Sequence, residues 1–255
     1  MACKLLLPAM EIKLLVIALV SFVLSFIFAL GGIGSAIILV PVLNMLGVPF
    51  AQARAAGLFT NVISTSAGVL NNLRNRRIDW KIAIPLTVSA TLASPLGAYL
   101  SHILNPKWVG ILFSLLLFYI GIMLYIPKRA ERIKEEAPLW VIVLIGTIGG
   151  ILSGLLGIGG GSVVSPLLML YGLNPVKVIA SVIFMVPFSS LAGFLTYWKL
   201  GLVDWEITLA AALPAFAAGY LGTHVAHTYL KPQQIKKILG VFYFLAGIKF
   251  LTKWL

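Results

Sequence analysis

Two glycine clusters are where this sequence has the means to do chemistry: Gly31-Gly32-Ile33-Gly34, followed by Ser35, and Gly157-Ile158-Gly159-Gly160-Gly161, followed by Ser162. Both interrupt long apolar runs. A glycine break of this kind leaves backbone N–H groups without helical partners, and such groups are tolerated in an apolar setting only where they line a cavity or meet another segment. A helix that starts just after the break adds the positive end of its dipole, so the combination is suited to holding an anion. Gly32, Gly34, Ser35, Gly157, Gly159, Gly160, Gly161 and Ser162 are the candidate donors. The alternative for any single glycine is close packing and a sharp hairpin. Gly146, Gly150 and Gly154, spaced by four, read as such a packing groove.

Further polar residues sit inside apolar stretches. Thr60, Asn61, Ser64, Thr65 and Ser66 form one group, Ser181, Ser189 and Ser190 another. Asn61 and Ser64 lie one helical turn apart and share a face. Asn61, Ser64, Ser189 and Ser190 offer neutral hydrogen bonds of the sort that suit a small oxyanion, with interhelical hydrogen bonding as the alternative. Arg54 has two readings, drawing anions or anchoring a helix at the interface, and the anchor is slightly favoured. His102 and His227 are candidates for proton coupling or plain interface residues. All seven acids, Glu11, Asp79, Glu131, Glu135, Glu136, Asp204 and Glu206, fall in loops or at segment ends. A cation carrier or proton pump usually buries a carboxylate in mid-membrane, so this distribution favours an anionic or neutral substrate. An intramembrane hydrolase built on Ser153 with His224 or His227 lacks an acid to orient the histidine. Cys3 is the lone cysteine, and no Cys/His cluster points to a metal or other cofactor.

The elements that must position these residues follow from where charge is missing. Of 255 residues, 60% are hydrophobic and 19 cations plus 7 acids make only 10% charged, with mean hydropathy +1.05. A soluble protein of this size has roughly 25%. The net charge of +12 reads as a topology signal, since Lys and Arg collect in cytoplasmic loops, and there is no basic patch interleaved with aromatics for nucleic acid. Forty uncharged residues separate Lys13 from Arg54, and forty separate Glu136 from Lys177. One helix of that length would measure about 60 Å, twice the hydrocarbon thickness of about 30 Å. Each stretch therefore folds back at its glycine cluster. With the runs Ala55–Leu73, Ile82–Pro106, Trp108–Pro127, Val178–Trp198, Ile207–Leu230 and Ile238–Leu255, the expected fold is an all-α polytopic membrane protein of about ten segments. The apolar start near Leu14 is read as retained, because its hairpin recurs in mid-chain.

Shifting the chain by 125 residues aligns residues 32–102 with 157–227 without a gap, and 20 of the 71 positions are identical. The matches include Pro41 with Pro166, Phe59 with Phe184, Asp79-Trp80 with Asp204-Trp205, and His102 with His227. The expected organisation is a first membrane repeat at 11–127, a charged cytoplasmic linker at 128–137 and a second repeat at 138–255. Five segments per half is an odd number, so the second half enters the membrane inverted, as in secondary transporters. With both termini outside, twelve of the nineteen cations fall on the cytoplasmic side.

The doubled glycine motif with its downstream proline, the charged central linker and the repeated Asp-Trp resemble the sulfite exporter TauE/SafE family of membrane permeases, over nearly the whole chain from about Leu14. The resemblance implies a multi-pass inner-membrane permease for small sulfur-containing or organic anions such as sulfite or sulfonates; the expectation of no cofactor and no nucleic-acid partner comes from the residues above. The first glycine copy departs from the pattern, having Ser35-Ala36 where the second has Gly160-Gly161, which makes the two half-sites unequal. The expected function is thus a secondary transporter working by alternating access, not an enzyme, in a lipid bilayer with a small anionic substrate; the alternative is an anion channel on the same scaffold.

Overall fold

The computed structural model describes residues 2–30, 34–125, 134, 136–229 and 232–254. Ten helices are found among them: α1 (Ala2–Leu30), α2 (Ala36–Met45), α3 (Phe50–Arg74), α4 (Trp80–Ile103), α5 (Pro106–Tyr125), α6 (Leu139–Leu156), α7 (Gly161–Leu170), α8 (Pro175–Lys199), α9 (Trp205–Tyr229) and α10 (Pro232–Trp254). The fold is all-α and polytopic. Five helices contain stretches long and apolar enough to cross a membrane, in α1, α4, α5, α6 and α8, with shorter apolar helices in α2, α7 and α9. Helix α3 has 25 residues, enough to span, but its polar run from Thr60 to Ser66 and its Gln52 and Arg54 dilute its hydropathy. Exposed leucines such as Leu15, Leu92, Leu144, Leu213 and Leu245 stud the outside, a surface that suits lipid.

The expected hairpins are present, with one refinement. Helices α2 and α7 have ten residues each, about 15 Å of rise. Their arms reach only half the hydrocarbon depth of about 30 Å.

Loops gather at two ends. At one end the Lys13 ammonium is 3.5 Å from the Gly47 carbonyl, and the Lys253 ammonium donates to the Asn44 carbonyl and to its side-chain oxygen, both at 2.7 Å. At the other end Lys81 pairs with Glu136, Lys177 lies 3.3 Å from Asp79, and the Lys134 N–H donates to the Gly172 carbonyl at 2.8 Å. The hairpin α1–α2 therefore opens at the first end and α6–α7 at the second, and the second glycine turn lies inside the bundle against Asn61, which also meets Gly34. Most of the charged linker lies outside the described residues.

The residues shared at the 125-residue offset do matched structural work. Asp79 caps α4 by accepting from the Lys81 N–H, and Asp204 accepts from the Ile207 N–H at the start of α9. Trp80 packs edge-on against Phe184 at 5.3 Å, and Trp205 against Phe59 at 6.1 Å. Each tryptophan thus meets the phenylalanine of the other half. The same exchange relates the packing of α4 on α6 to that of α9 on α1. On α6, a Cβ at Gly146, Gly150 or Gly154 would fall on α4, at Ser89 with Leu86, at the Ala90 carbonyl and at the Ser94 carbonyl respectively. Small residues at a four-residue spacing let the two backbones touch, which is how helices pack when lipid supplies no hydrophobic drive.

Candidate functional site

The second glycine turn is built by backbone conformations that L side chains rarely adopt. Gly157 ends α6 at φ +77°, with its N–H on the Ser153 carbonyl at 2.9 Å, and Gly159 and Gly160 follow at φ +76° and +69°. Helix α7 then starts at Gly161, inside the bundle. Each glycine faces something different. A Cβ at Gly157 would sit 2.7 Å from the Arg54 Cα on α3; one at Gly160 would sit 2.5 Å from the Gly149 carbonyl oxygen on α6; one at Gly161 would be 2.8 Å from a Val186 methyl on α8. A side chain on Gly160, one of the expected site residues, would therefore run into α6, because the tight approach of α7 to α6 takes up that face. Gly159 is the one of the four whose Cβ would meet side-chain polar atoms, Asn61 Nδ2 and Ser190 Oγ.

Asn61 is where the second turn and Gly34 of the first cluster come together. It is fully buried on α3, and its Nδ2 donates to the Ile158 carbonyl of the second turn at 2.9 Å. Its Oδ1 faces the first turn, 2.6 Å from where a Gly34 Cβ would stand, and has no hydrogen-bond partner among the described residues. Ser189 on α8 donates to the Val186 carbonyl at 3.2 Å and lies 3.5 Å from the Gly159 carbonyl. The hydroxyls of Ser190 and of Ser162, in the first turn of α7, are buried without partners among the described residues. Buried hydroxyls are normally satisfied, so this cluster has hydrogen-bonding capacity to spare for a ligand.

Other expected members sit elsewhere. Ser35 receives the Ser25 hydroxyl at 2.9 Å, within the first hairpin. Ser64 turns toward α9, its Cβ 3.8 Å from where a Gly219 Cβ would be, and its hydroxyl is 3.5 Å from the Asn61 carbonyl. Gly32 lies outside the described residues, as does the side chain of His227. Ser153 is buried beside Gly160.

Arg54 is not an interface anchor. It is 2% exposed, in the second turn of α3, where its Nη1 donates to the Leu155 carbonyl at 3.3 Å and its guanidinium lies 4.4 Å from the Phe50 ring and 5.8 Å from the Tyr197 ring. An anchor would snorkel outward; here α6 and the aromatic rings enclose the head group. It lines a cavity of about 400 Å³ together with Asn44, Phe50, Ser101 and His102. His102 is at the exposed rim.

The family model described as Sulfite exporter TauE/SafE matches residues 17–250, a stretch that contains both turns and every residue just placed. This chain belongs to the sulfite exporter TauE/SafE family. It is 28% identical over 248 residues to a probable membrane transporter protein of Methanocaldococcus jannaschii, covering 88% of this chain and 91% of the relative. A probable membrane transporter protein of Bacillus subtilis is 25% identical over 244 residues, covering 85% and 89%. The sulfite exporter TauE/SafE family protein 6 of Arabidopsis thaliana is 37% identical over 95 residues, 37% of this chain and 22% of that protein. No solved structure matches. The TauE/SafE chain is thus a multi-pass membrane protein whose relatives are described as transporters and not as enzymes.

Two features of this TauE/SafE site were not anticipated. Tyr197 on α8 donates to the Gly154 carbonyl at 3.0 Å, shares a hydrogen bond with Ser101 and backs the Arg54 guanidinium; at the end of an apolar run it looks like any interfacial aromatic. At the opposite end a cavity of about 1010 Å³ is lined by Arg76, Arg77, Lys81, Lys134 and Lys177 with Asp79 and Glu136. There the Lys81 ammonium, hydrogen-bonded to Glu136, holds that carboxyl below the usual carboxylate range. The Asp79–Lys177 pair joins residues before the linker to residues after it, whereas the Lys81–Glu136 pair ties the first repeat to the linker itself and is open to solvent and screened.

Proposed function

We propose that this protein is a secondary transporter that carries a small sulfur-containing or organic anion, such as sulfite or a sulfonate, across the inner cell membrane. Residues 11–127 and 138–255 act as inverted repeats joined by the linker at 128–137, and rock around a site where the glycine turns meet. The observation that carries this reading is the convergence of Gly34, Gly159 and Ser190 on the buried Asn61, whose NH2 has a second hydrogen beyond the one given to Ile158, beside the unpaired Ser190 hydroxyl. The start of α7 adds its positive dipole end and the Ser162 N–H, the Gly161 and Val163 N–H groups being bonded to the Gly159 and Gly160 carbonyls. Substrate enters from one end when the halves tilt one way and from the other when they tilt back.

Ser190→Ala and Ser162→Ala provide the test. Neither hydroxyl has a protein partner among the described residues, so removing it leaves no orphan and should leave Tm within about 2 °C of wild type. A hydrogen bond to a charged ligand is worth about 1.5–3 kcal/mol, so sulfite flux into proteoliposomes should fall about tenfold or more in each variant. Undiminished flux in both would sink the site. Trans sulfite should accelerate labelled-sulfite exchange, as a carrier requires; absence of counterflow would mark a pore. For the inversion, tags placed in the Trp198–Trp205 and Arg74–Arg77 loops should be reached by an impermeant reagent from opposite faces, and labelling from one face would end it.

A further inference from the structure

We infer that the cavity of about 400 Å³ beside α3 is a second anion site, in which the buried Arg54 guanidinium binds a small oxyanion before it reaches the glycine turns. The inference adds a station to the route proposed above and fails separately from it.

The charge is the starting point. A buried cation is costly unless paired and hydrogen-bonded, yet among the described residues no carboxylate lies within 4 Å of Arg54. Its protein partners are one carbonyl, that of Leu155, and the faces of Phe50 and Tyr197. A guanidinium has five N–H donors, and the buried Nε has no partner among the described residues. The aromatic faces compensate only part of the desolvation. What is missing is an acceptor carrying negative charge. The cavity that Arg54 lines is where one fits, with the Asn44, Ser101 and His102 side chains around it.

Geometry selects the ligand class. The planar fork matches two oxygens of one ligand, so sulfite, a sulfonate or a carboxylate fits better than a monatomic ion. The Tyr197–Ser101–Gly154 hydrogen bonds hold the back of the pocket together, and Arg54 lines the cavity in front of them. Arg54 and Asn61 are seven residues apart on α3, two turns, which places them on the same face about 10 Å apart along the axis. Both touch the second glycine turn: Gly157 abuts the Arg54 backbone, and Ile158 accepts from Asn61. An anion leaving Arg54 thus stays against α3 and the turn until it meets Asn61.

The test is thermal unfolding and calorimetric titration of the full chain in detergent with sodium sulfite, ionic strength being held with sodium gluconate. Wild type should gain Tm with sulfite. Arg54→Met should unfold no lower than wild type without sulfite, because the uncompensated charge is gone, and should bind sulfite about 10- to 100-fold more weakly. Arg54→Lys should fall between them, keeping charge without the fork. Ala51→Trp, which fills the cavity from its rim without altering Arg54, should weaken binding likewise and covers the case in which Arg54→Met fails to fold. If Arg54 only hooks α3 to α6, Arg54→Met will lower Tm without sulfite and both variants will keep wild-type affinity, and the inference is overturned. If binding survives these variants but is lost in Ser190→Ala, the turn site stands alone; if Ser190→Ala binds normally while Arg54→Met does not, the cavity stands and the turn site falls.

Discussion

Gly154→Leu should leave little folded protein, and the reason lies in backbone geometry more than in helix propensity. A Cβ at Gly154 would fall on the Ser94 carbonyl oxygen and 2.6 Å from the Ala98 nitrogen of α4. Neither atom belongs to a flexible side chain, so the overlap is relieved only by moving α4 from α6, the seam that joins the two halves. Overpacking a core typically costs about 1–3 kcal/mol, occasionally more. Here the same shift also pulls Ser101 of α4 from the Tyr197 hydroxyl, which stays bonded to the Gly154 carbonyl of α6. Gly154→Ala meets the same overlap and should lower Tm by several degrees; the leucine variant should fail to give a monodisperse peak on size exclusion. Gly219→Ala is the control, because its Cβ would meet nothing nearer than Ser64 at 3.8 Å. Equal behaviour of Gly154→Ala and Gly219→Ala would show that close approach at this seam is dispensable.

The repeat made the scaffold legible in the sequence and left the chemistry mostly hidden. Asp79 and Asp204, Trp80 and Trp205, Phe59 and Phe184 are identical at the 125-residue offset because they do mirrored structural work, capping helices and pairing rings across the halves. The positions that differ carry the polar site. Asn61 falls on Val186 and Arg54 on Ile179, so α3 supplies the amide and the guanidinium while its counterpart α8 supplies apolar contacts there. Helix α8 instead contributes Ser190, whose counterpart is Thr65. The glycine turns and Asn61 were readable as polar breaks in apolar runs. Which glycine faces the site was not, because Gly159 and Gly160 are adjacent in sequence and only the left-handed turn decides that one points at Asn61 and the other at α6. Between the two readings of Arg54 the anchor was slightly favoured for a related reason: a cation four residues into a helix looks interfacial until α6, Phe50 and Tyr197 are seen to close over it. The half-depth of α2 and α7 was also hidden, since an uncharged run of forty residues fixes the total length of a hairpin and not how its two arms divide it.

Asn61→Asp should abolish anion transport more completely than Asn61→Leu, and the contrast reports the sign of the substrate. Both variants lose the Nδ2 bond to the Ile158 carbonyl, so both should be less stable than wild type, the aspartate more so because two oxygens then face each other. Flux must therefore be normalised to folded protein in the vesicles. What remains after that correction is the effect on the ligand. Leucine removes one donor, worth about tenfold if the ligand is charged. Aspartate, when ionised, adds a negative charge beside Gly34 and the second glycine turn. Water is scarce there, and a like charge is felt far more strongly than at a surface. A further loss of tenfold or more over leucine is expected for sulfite at neutral pH. A neutral substrate would show the two variants equally impaired, and a cationic one would favour aspartate. Either result would contradict an anion at the turn site while leaving the Arg54 cavity to stand on its own titrations, because that pocket is two turns away along α3.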